Sequence, residues 1–330
     1  MADAVINSTG EIFFSKLVDT GVTLTNNVLD STNAVDDTTP ANGKWTSMDV
    51  TGATAADKVV LSTHTTVASE SGPASGLTIV KMAVGSASTP IAGASGIAYG
   101  RFASANISSY DAISFYIRVG MASPTAGTTV STLQFVTCSD AAGATAVETL
   151  NLPAIPVTDM TLATDVVAGT GDTTPPDINK WRRVIVKLNS PSSNNALLSV
   201  ALKTSAAISA ACNIYIYQVR LLKSFPGRTG FSISETVDTV DVSDYQSLRT
   251  KEFSDTFSSW TATIDGHKEG APPLEKNKKY ALGFWEADTV GQAFIGDAFY
   301  TGFTPSGTFN DSVKYSYSFQ GSGALSVPLA

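Results

Sequence analysis

The stretch NIYIYQVRLLKSFPGRTGFSISETV, residues 213–237, decides the fold. Its first ten residues are crowded with Ile, Tyr, Val and Leu, the types that suit a pleated, half-buried surface. The run stops at Pro226-Gly227, where Pro fixes φ and Gly tolerates a positive one. A second alternating run, GFSISETV, begins at Gly230. The period is 2 on both sides of the breaker rather than the 3.6 of a helix, so two strands meet at a turn.

Outward from this stretch the period-2 signal recurs along the chain. Before it come Lys58–Leu61, Leu77–Val84, Ile97–Phe102, Ala112–Val119, Thr132–Thr137, Arg183–Leu188 and Leu197–Lys203; after it come Trp260–Ile264, Ala293–Tyr300 and Ser312–Phe319. Asn42-Gly43 and Asp265-Gly266 read as hairpin pairs, and Ser71-Gly72-Pro73 as a further breaker. Helical periodicity is scarce. Its best candidate is Asn277–Glu286, interrupted by Gly283. The expectation is an all-β protein with one or two short helices at most.

Composition agrees. The chain has 330 residues, 43% hydrophobic and 15% charged, well below the roughly 25% charge of an ordinary soluble domain. Ser, Thr, Ala and Gly fill the difference and favour short strands joined by small-residue turns. With 21 Lys+Arg against 29 Asp+Glu the net charge is −8, too acidic for a protein that grips a nucleic-acid backbone by displacing its counterions. The texture changes at Lys223–Gly230. Residues before it are Ala/Thr/Ser-rich, whereas the last 107 gather aromatics and carry 8 Lys+Arg against 13 Asp+Glu. That stretch is the expected domain boundary. No short repeat suggests a solenoid.

The start, MADAVINSTGEIFF, has neither a basic n-region nor an apolar stretch of signal-peptide length, and no run approaches the length of a membrane span. Cys138 and Cys212 lie in apolar strand-like runs and are expected as buried free thiols. The Asn-x-Ser/Thr matches at Asn7 and Asn106 carry no weight without secretion.

Site chemistry is sparse. No nucleophile elbow, zinc-binding helix motif, Walker loop or dinucleotide fingerprint occurs. His64, in LSTHTTV, reads as one face of a strand, and His267 as a loop-tip residue after Asp265-Gly266. Asp238, Asp241 and Asp244 have the wrong spacing for an EF-hand loop and read as an acidic strand edge. Lys276, Lys278 and Lys279 read as a helix end, and Trp181-Arg182-Arg183 as a strand start with the ring packed and the cations in solvent. The expectation is no enzyme, no cofactor and no metal.

From Trp45 to about Leu222 the chain resembles the jelly-roll β-sandwich modules that accompany carbohydrate-active and cell-surface proteins. The resemblance is carried by ISSYDAISFYIRV, LQFVTCSD, INKWRRVIVKL and NIYIYQVRLL. Where such modules often place an aspartate in the last strand this chain has Gln218, and their calcium and sugar ligands have no clear counterparts. From Gly230 onward the chain resembles the tube-forming domain of the major tail proteins of long-tailed phages. Here the carrying segments are FSISETVDTVDVSDYQS, SSWTATIDGHKEG, QAFIGDAFYTGF and SVKYSYSFQGSGALSV. That resemblance implies a small β-sandwich with one short helix, whose subunits close into six-membered rings.

On this reading residues 1–25 supply the first strand of the tube domain, 26–223 an outer sandwich inserted after it, and 224–330 the tube domain itself. The alternative keeps the N-terminal segment in the sandwich, as a plain N-terminal domain. The implied function is a structural virion protein: stacked, six-membered rings forming the conduit for viral DNA, assembled in the host cytoplasm. Its partners would be other copies of itself, other tail proteins at the tube ends and a host-surface glycan met by the sandwich, with DNA passing unbound. In the resembled family the loop before the Trp-led strand is an arm reaching a neighbouring subunit. In that loop, Gln246–Ser258, Leu248, Phe253 and Phe257 are interface candidates. Glu252, Asp255 and Asp265 are candidates for lumen charge, since carboxylates there would repel phosphate. The competing readings are a carbohydrate-binding or adhesin module, and a hydrolase with its carboxylate pair in the long loops.

Overall fold

The computed structural model describes residues 11–17, 43–48, 59–65, 78–84, 91, 93–121, 128–159, 181–208, 210–241, 253–267, 274–285, 293–307, 313–323 and 325–326. The described residues form eighteen strands and a single 3-10 turn at Pro191–Ser193. The protein is all-β. No helix among these residues is long and apolar enough to cross a membrane. The chain divides into two compact units, one of Met1–Leu17, Ser224–Asp288 and Phe294–Val327, the other of Val18–Lys223 with Thr289–Ala293 and Pro328–Ala330.

The larger unit is a two-sheet sandwich. One sheet orders β2 (Trp45–Ser47), β5 (Ser95–Ala105), β12 (Leu197–Thr204), β8 (Leu133–Cys138) and β9 (Ala146–Asn151). In the other, β3 (Val60–Thr65) pairs β4 (Thr78–Val84), which pairs β13 (Cys212–Ser224), which pairs β6 (Ala112–Met121). The far edge of β6 is shared, antiparallel β11 (Arg182–Lys187) taking its first half and parallel β10 (Ile155–Asp159) its end. β10 carries β7 (Thr129–Val130) in turn. Alternate residues of both sheets meet in one apolar core that includes Trp45, Ile117, Val184, Leu202 and Ile214, and Phe115 stacks on Phe135 with centroids 5.2 Å apart.

A buried polar network pins the β11–β12 connection against β8 and β9. The Thr137 hydroxyl donates to Asn194 Oδ1 at 2.7 Å, and Asn194 Nδ2 donates to Glu148 at 2.8 Å. Glu148 also accepts the backbone N–H groups of Asn189 and Ser190. Each polar side chain of this network therefore has a partner, which is what makes its burial tolerable.

The smaller unit orders β14 (Arg228–Asp241), β15 (Phe253–His267), β18 (Lys314–Gly321), β17 (Ala293–Ser306), β16 (Lys279–Trp285) and β1 (Glu11–Leu17). β1 pairs antiparallel with β16, Ile12 opposite Phe284. The sheet curls. Phe231 of β14 meets Phe284 of β16 at 5.1 Å although three strands separate β14 from β16 in the sheet order. Phe225, just before β14, meets Tyr317 of β18 at 5.2 Å. The concave side encloses a second core of Ile12, Phe225, Trp260, Ile264, Leu282, Phe284, Tyr300 and Phe319.

Five local expectations are corrected. Asn277–Glu286 is strand rather than helix over Lys279–Trp285, because a fully buried strand loses the alternation that would mark it. Asp265-Gly266 lies inside β15, not at a turn; a Cβ on Gly266 would press on the Gly227 carbonyl, so this Gly serves a close backbone approach. His267 accordingly ends a strand, opposite Lys314. Lys279 opens β16, 3.9 Å from Asp297, after a turn that holds Lys276 and Lys278. In the sandwich, Trp181 is packed as expected, but Arg183 is buried with its guanidinium 5.3 Å from the Tyr116 ring.

Both cysteines are free and buried. Burial pushes the Cys212 thiol up to about 12 from 9.0. Burial likewise raises Cys138 to about 11, against the opposing charge of Lys203. A thiol whose folded value lies above its unfolded one adds stability below the unfolded value, and that stability is lost as pH rises through the folded one. Wild-type protein should therefore lose thermal stability relative to Cys212→Ala as pH climbs from 9.0 toward about 12. Melting curves that stay parallel across that range would contradict the assignment.

Candidate assembly surface

Trp260 organises the smaller unit. Its ring lies over Gly296 of β17 and Gly321 of β18, where any Cβ would collide with the indole. Its Nε1 donates to the Gly323 carbonyl at 2.9 Å, and Gln320 Nε2 donates to the Trp260 carbonyl at 3.2 Å. A large ring thus needs two glycines on neighbouring strands to stay inside a one-sheet core.

Register then separates two chemically different faces across β14, β15, β18 and β17. On the concave side Ile233, Ala262, Phe319 and Tyr300 share one row, and Phe231, Ile264, Tyr317 and Phe303 the next. The third row brings Gly266, Tyr315 and Pro305 together. On the opposite side one row reads Ser234, Thr261, Gln320 and Phe299, and the next Ser232, Thr263, Ser318 and Gly302. Hydroxyls on that face bond within the sheet: Thr236 and Ser259 meet at 2.9 Å, and Thr301 donates to the Ser318 carbonyl at 2.9 Å. Charge enters toward one end, where Asp265 aligns with Ser316 and Thr304, and His267 with Lys314.

The apolar stripe outruns the core. Tyr300, Phe319 and Tyr317 are buried, but along the same face Tyr315 is half-buried, Phe303 is 54% exposed and Val313 is 42% exposed. Ring contacts run without a break from the core to this tip: Tyr300–Phe319 at 5.6 Å, Tyr300–Tyr317 at 6.2 Å, Tyr315–Tyr317 at 6.1 Å and Phe303–Tyr315 at 5.4 Å. Burial raises the Tyr300 and Tyr317 hydroxyls, helped by their tyrosine neighbours. Val237 on β14 is a second exposed apolar point, at 52%.

Of the residues singled out in the sequence, Leu248 and Glu252 lie outside the described residues. Phe253, Phe257 and Asp255 fall on β15 instead of in a loop, with Phe253 opposite Asp241 and Asp255 opposite Thr239. The Val/Asp strand and the Trp-led strand therefore form one long ribbon. Asp265 stands exposed on the hydroxyl-rich face. Phe303 and Val313 were missed, although Val313, Tyr315, Tyr317 and Phe319 alternate plainly in SVKYSYSF. Phe303 joins their face only because an irregularity between Tyr300 and Gly302 shifts the register of β17. No group of three His, Cys, Asp or Glu among the described residues could hold a metal.

No family model and no curated protein matches the chain. Among solved structures it is similar to a chain of "Tail of empty GTA particle computed with helical refinement, C6 symmetry", at 17% identity and a TM-score of 0.27, over 33% of this chain and 88% of that one.

Gly321→Val should displace Trp260 and lower stability by about 1–3 kcal/mol, as overpacking of a filled core does, whereas Thr261→Val on the opposite face should cost little. Equal melting temperatures for the two variants would contradict the packing described.

Proposed function

We propose that the protein is a structural subunit of a phage-type tail tube. Copies close into rings, six-membered on the resemblance noted in the sequence, and the rings stack into a conduit for viral DNA. The smaller unit forms the tube. Residues 26–223 form a sandwich inserted after the first strand and carried on the outside, for stability or host-surface contact. Pairing of β1 with β16 supports the insertion, since it joins the N-terminal strand to a strand beyond residue 224. Assembly takes place in the host cytoplasm, and other tail proteins cap the tube ends.

The observation that carries this reading is the apolar stripe of the β17–β18 ribbon, which continues past its own core to Phe303 and Val313. A second copy seated there would bury both. Full burial of such side chains is worth about 1.5–3 kcal/mol each, and a closed ring repeats the contact at every interface. The edge of β14 is a further template for pairing. The hydroxyl-rich face suits a lumen: it is mostly Ser and Thr, and its cation Lys314 stands at the end where Asp265 offsets it, so it offers little to hold phosphate. Phe253 and Phe257, on the β14–β15 ribbon, and Leu248 remain interface candidates, and Glu252 and Asp255 candidates for further lumen charge.

Negative-stain microscopy with sedimentation tests the reading. Purified protein should give rings or tubes, and Phe303→Ser with Val313→Ser should give a folded monomer that no longer assembles. A wild-type protein that stays a dispersed monomer at high concentration would overturn the proposal in favour of a surface-binding module. Tubes undiminished in the double variant would remove the β17–β18 ribbon from the interface.

A further inference from the structure

We propose that residues 139–145, the connection from β8 to β9, are a strap latched over the outer face of the five-stranded sheet, and that protonation of Asp140 releases it. The inference is independent of the tube reading.

Val200 and Leu202 of β12 belong to the main core, and Ala201 between them faces the other way. There it joins Tyr99, Val136 and Cys138 in a separate buried cluster, with Met48 packed at its margin. The outer side of an antiparallel sheet commonly meets water. Here its centre is dry: Ala201 and Cys138 are fully buried, and Val136 and Tyr99 nearly so. Gly143 supplies part of the cover. A Cβ there would lie 2.8 Å from Tyr99 Cβ and 3.3 Å from Ala201 Cβ, and its φ of +69° favours glycine. The strap backbone therefore rests directly on the cluster.

Two side chains hold it down. Asp140 Oδ1 accepts the N–H groups of Ala142 at 2.8 Å and Ala144 at 3.1 Å, and its other oxygen accepts that of Thr145. The Ser199 hydroxyl, on β12, donates to the Asp140 carbonyl at 2.6 Å and accepts the Gly143 N–H at 3.2 Å. The strap's other residues are exposed or half-buried, so few apolar contacts oppose its lifting. Burial alone would raise the Asp140 carboxyl, but the N–H groups of Thr145, Ala144 and Ala142, with the Thr145 hydroxyl, outweigh it and hold the carboxyl below its ordinary value. Other titratable groups on this side are Cys138 of β8, Lys203 of β12, whose charge acts on Cys138, and Arg101 of β5, opposite Ser199. β9 places Ala146 opposite Cys138, while Glu148 is taken up by the Asn194 network. A carboxyl lowered in the closed form stabilises that form above its ordinary value, and the stability is lost as pH falls through the lowered one. Acid therefore weakens the Asp140 latch and leaves the Ser199 clasp unchanged.

The test treats full-length protein with dithiodipyridine, an aromatic disulfide that stays reactive toward thiols in acid, and maps the label by peptide mass spectrometry. Cys212, on β13 of the other sheet, is the internal reference for wider unfolding. As pH falls from about 7 to about 3, labelling of Cys138 relative to Cys212 should rise by about tenfold or more. Asp140→Ala should show the raised ratio already at neutral pH, with little further change in acid. Ser199→Ala should raise the ratio at neutral pH and keep the acid response. If Asp140→Ala misfolds, seen as Cys212 labelled together with Cys138, Asp140→Asn takes its place, because its amide nitrogen cannot accept the Thr145 N–H. A wild-type ratio that stays at its neutral value until Cys212 itself is labelled would overturn the proposal, as would an unchanged neutral ratio in a folded Asp140 variant.

Discussion

Trp260 has room only because Gly296 and Gly321 leave a hollow on the two neighbouring strands. The smaller unit depends on that fit. A single sheet can enclose a core only by curling, and the curl brings Phe231 of β14 onto Phe284 of β16. The indole fills the space where the strands bend, and its one polar atom is satisfied by the Gly323 carbonyl. Tryptophan in such a place supplies a large apolar area with a single donor to account for. Removing the glycines would open the sheet and expose both halves of the core together.

Curling also fixes which side chains meet water. The concave face is aromatic along its whole length, and the convex face is mostly Ser, Thr and Gln. Such a pattern is ordinary where the apolar side is covered, as it is around Tyr300 and Phe319. It is not ordinary at Phe303 and Val313, where the same stripe reaches solvent. The proposed ring follows from that mismatch, and the proposed lumen from the scarcity of cations on the opposite face. The sandwich presents the reverse pattern, with cations seated among rings on one sheet.

Much of this architecture was legible in the sequence, because period 2 is a strong signal wherever one face is buried and the other wet. The run Asn213–Leu222 lies on β13 as expected, and the run Ser312–Phe319 lies on β18 from Lys314 onward. The failures share a cause. β16 is buried on both faces, so YALGFW shows no alternation and Gly283 looked like a flaw in a helix. Asp265-Gly266 matches hairpin chemistry, yet pairing on both sides with β14 and β18 holds it in a strand. Tertiary pairing overrode the local preference. β2 and β7, of three and two residues, are too short to show any period. Of the candidate surface, Tyr315, Tyr317 and Phe319 alternate plainly in the sequence, whereas Phe303 depended on a register shift that no spacing rule reveals.

The most direct measurement uses a cysteine placed on the hydroxyl-rich face, at Thr261. The native thiols are buried and pushed to about 11 and about 12, so they add little background reactivity. Assembled and dissociated protein are treated with a small maleimide and with a maleimide tethered to a protein-sized carrier. The account predicts that the small reagent labels both states and the tethered one labels only dissociated subunits, because position 261 faces an enclosed lumen. Equal labelling of assembled protein by the tethered reagent would place that face on the outside and contradict the account.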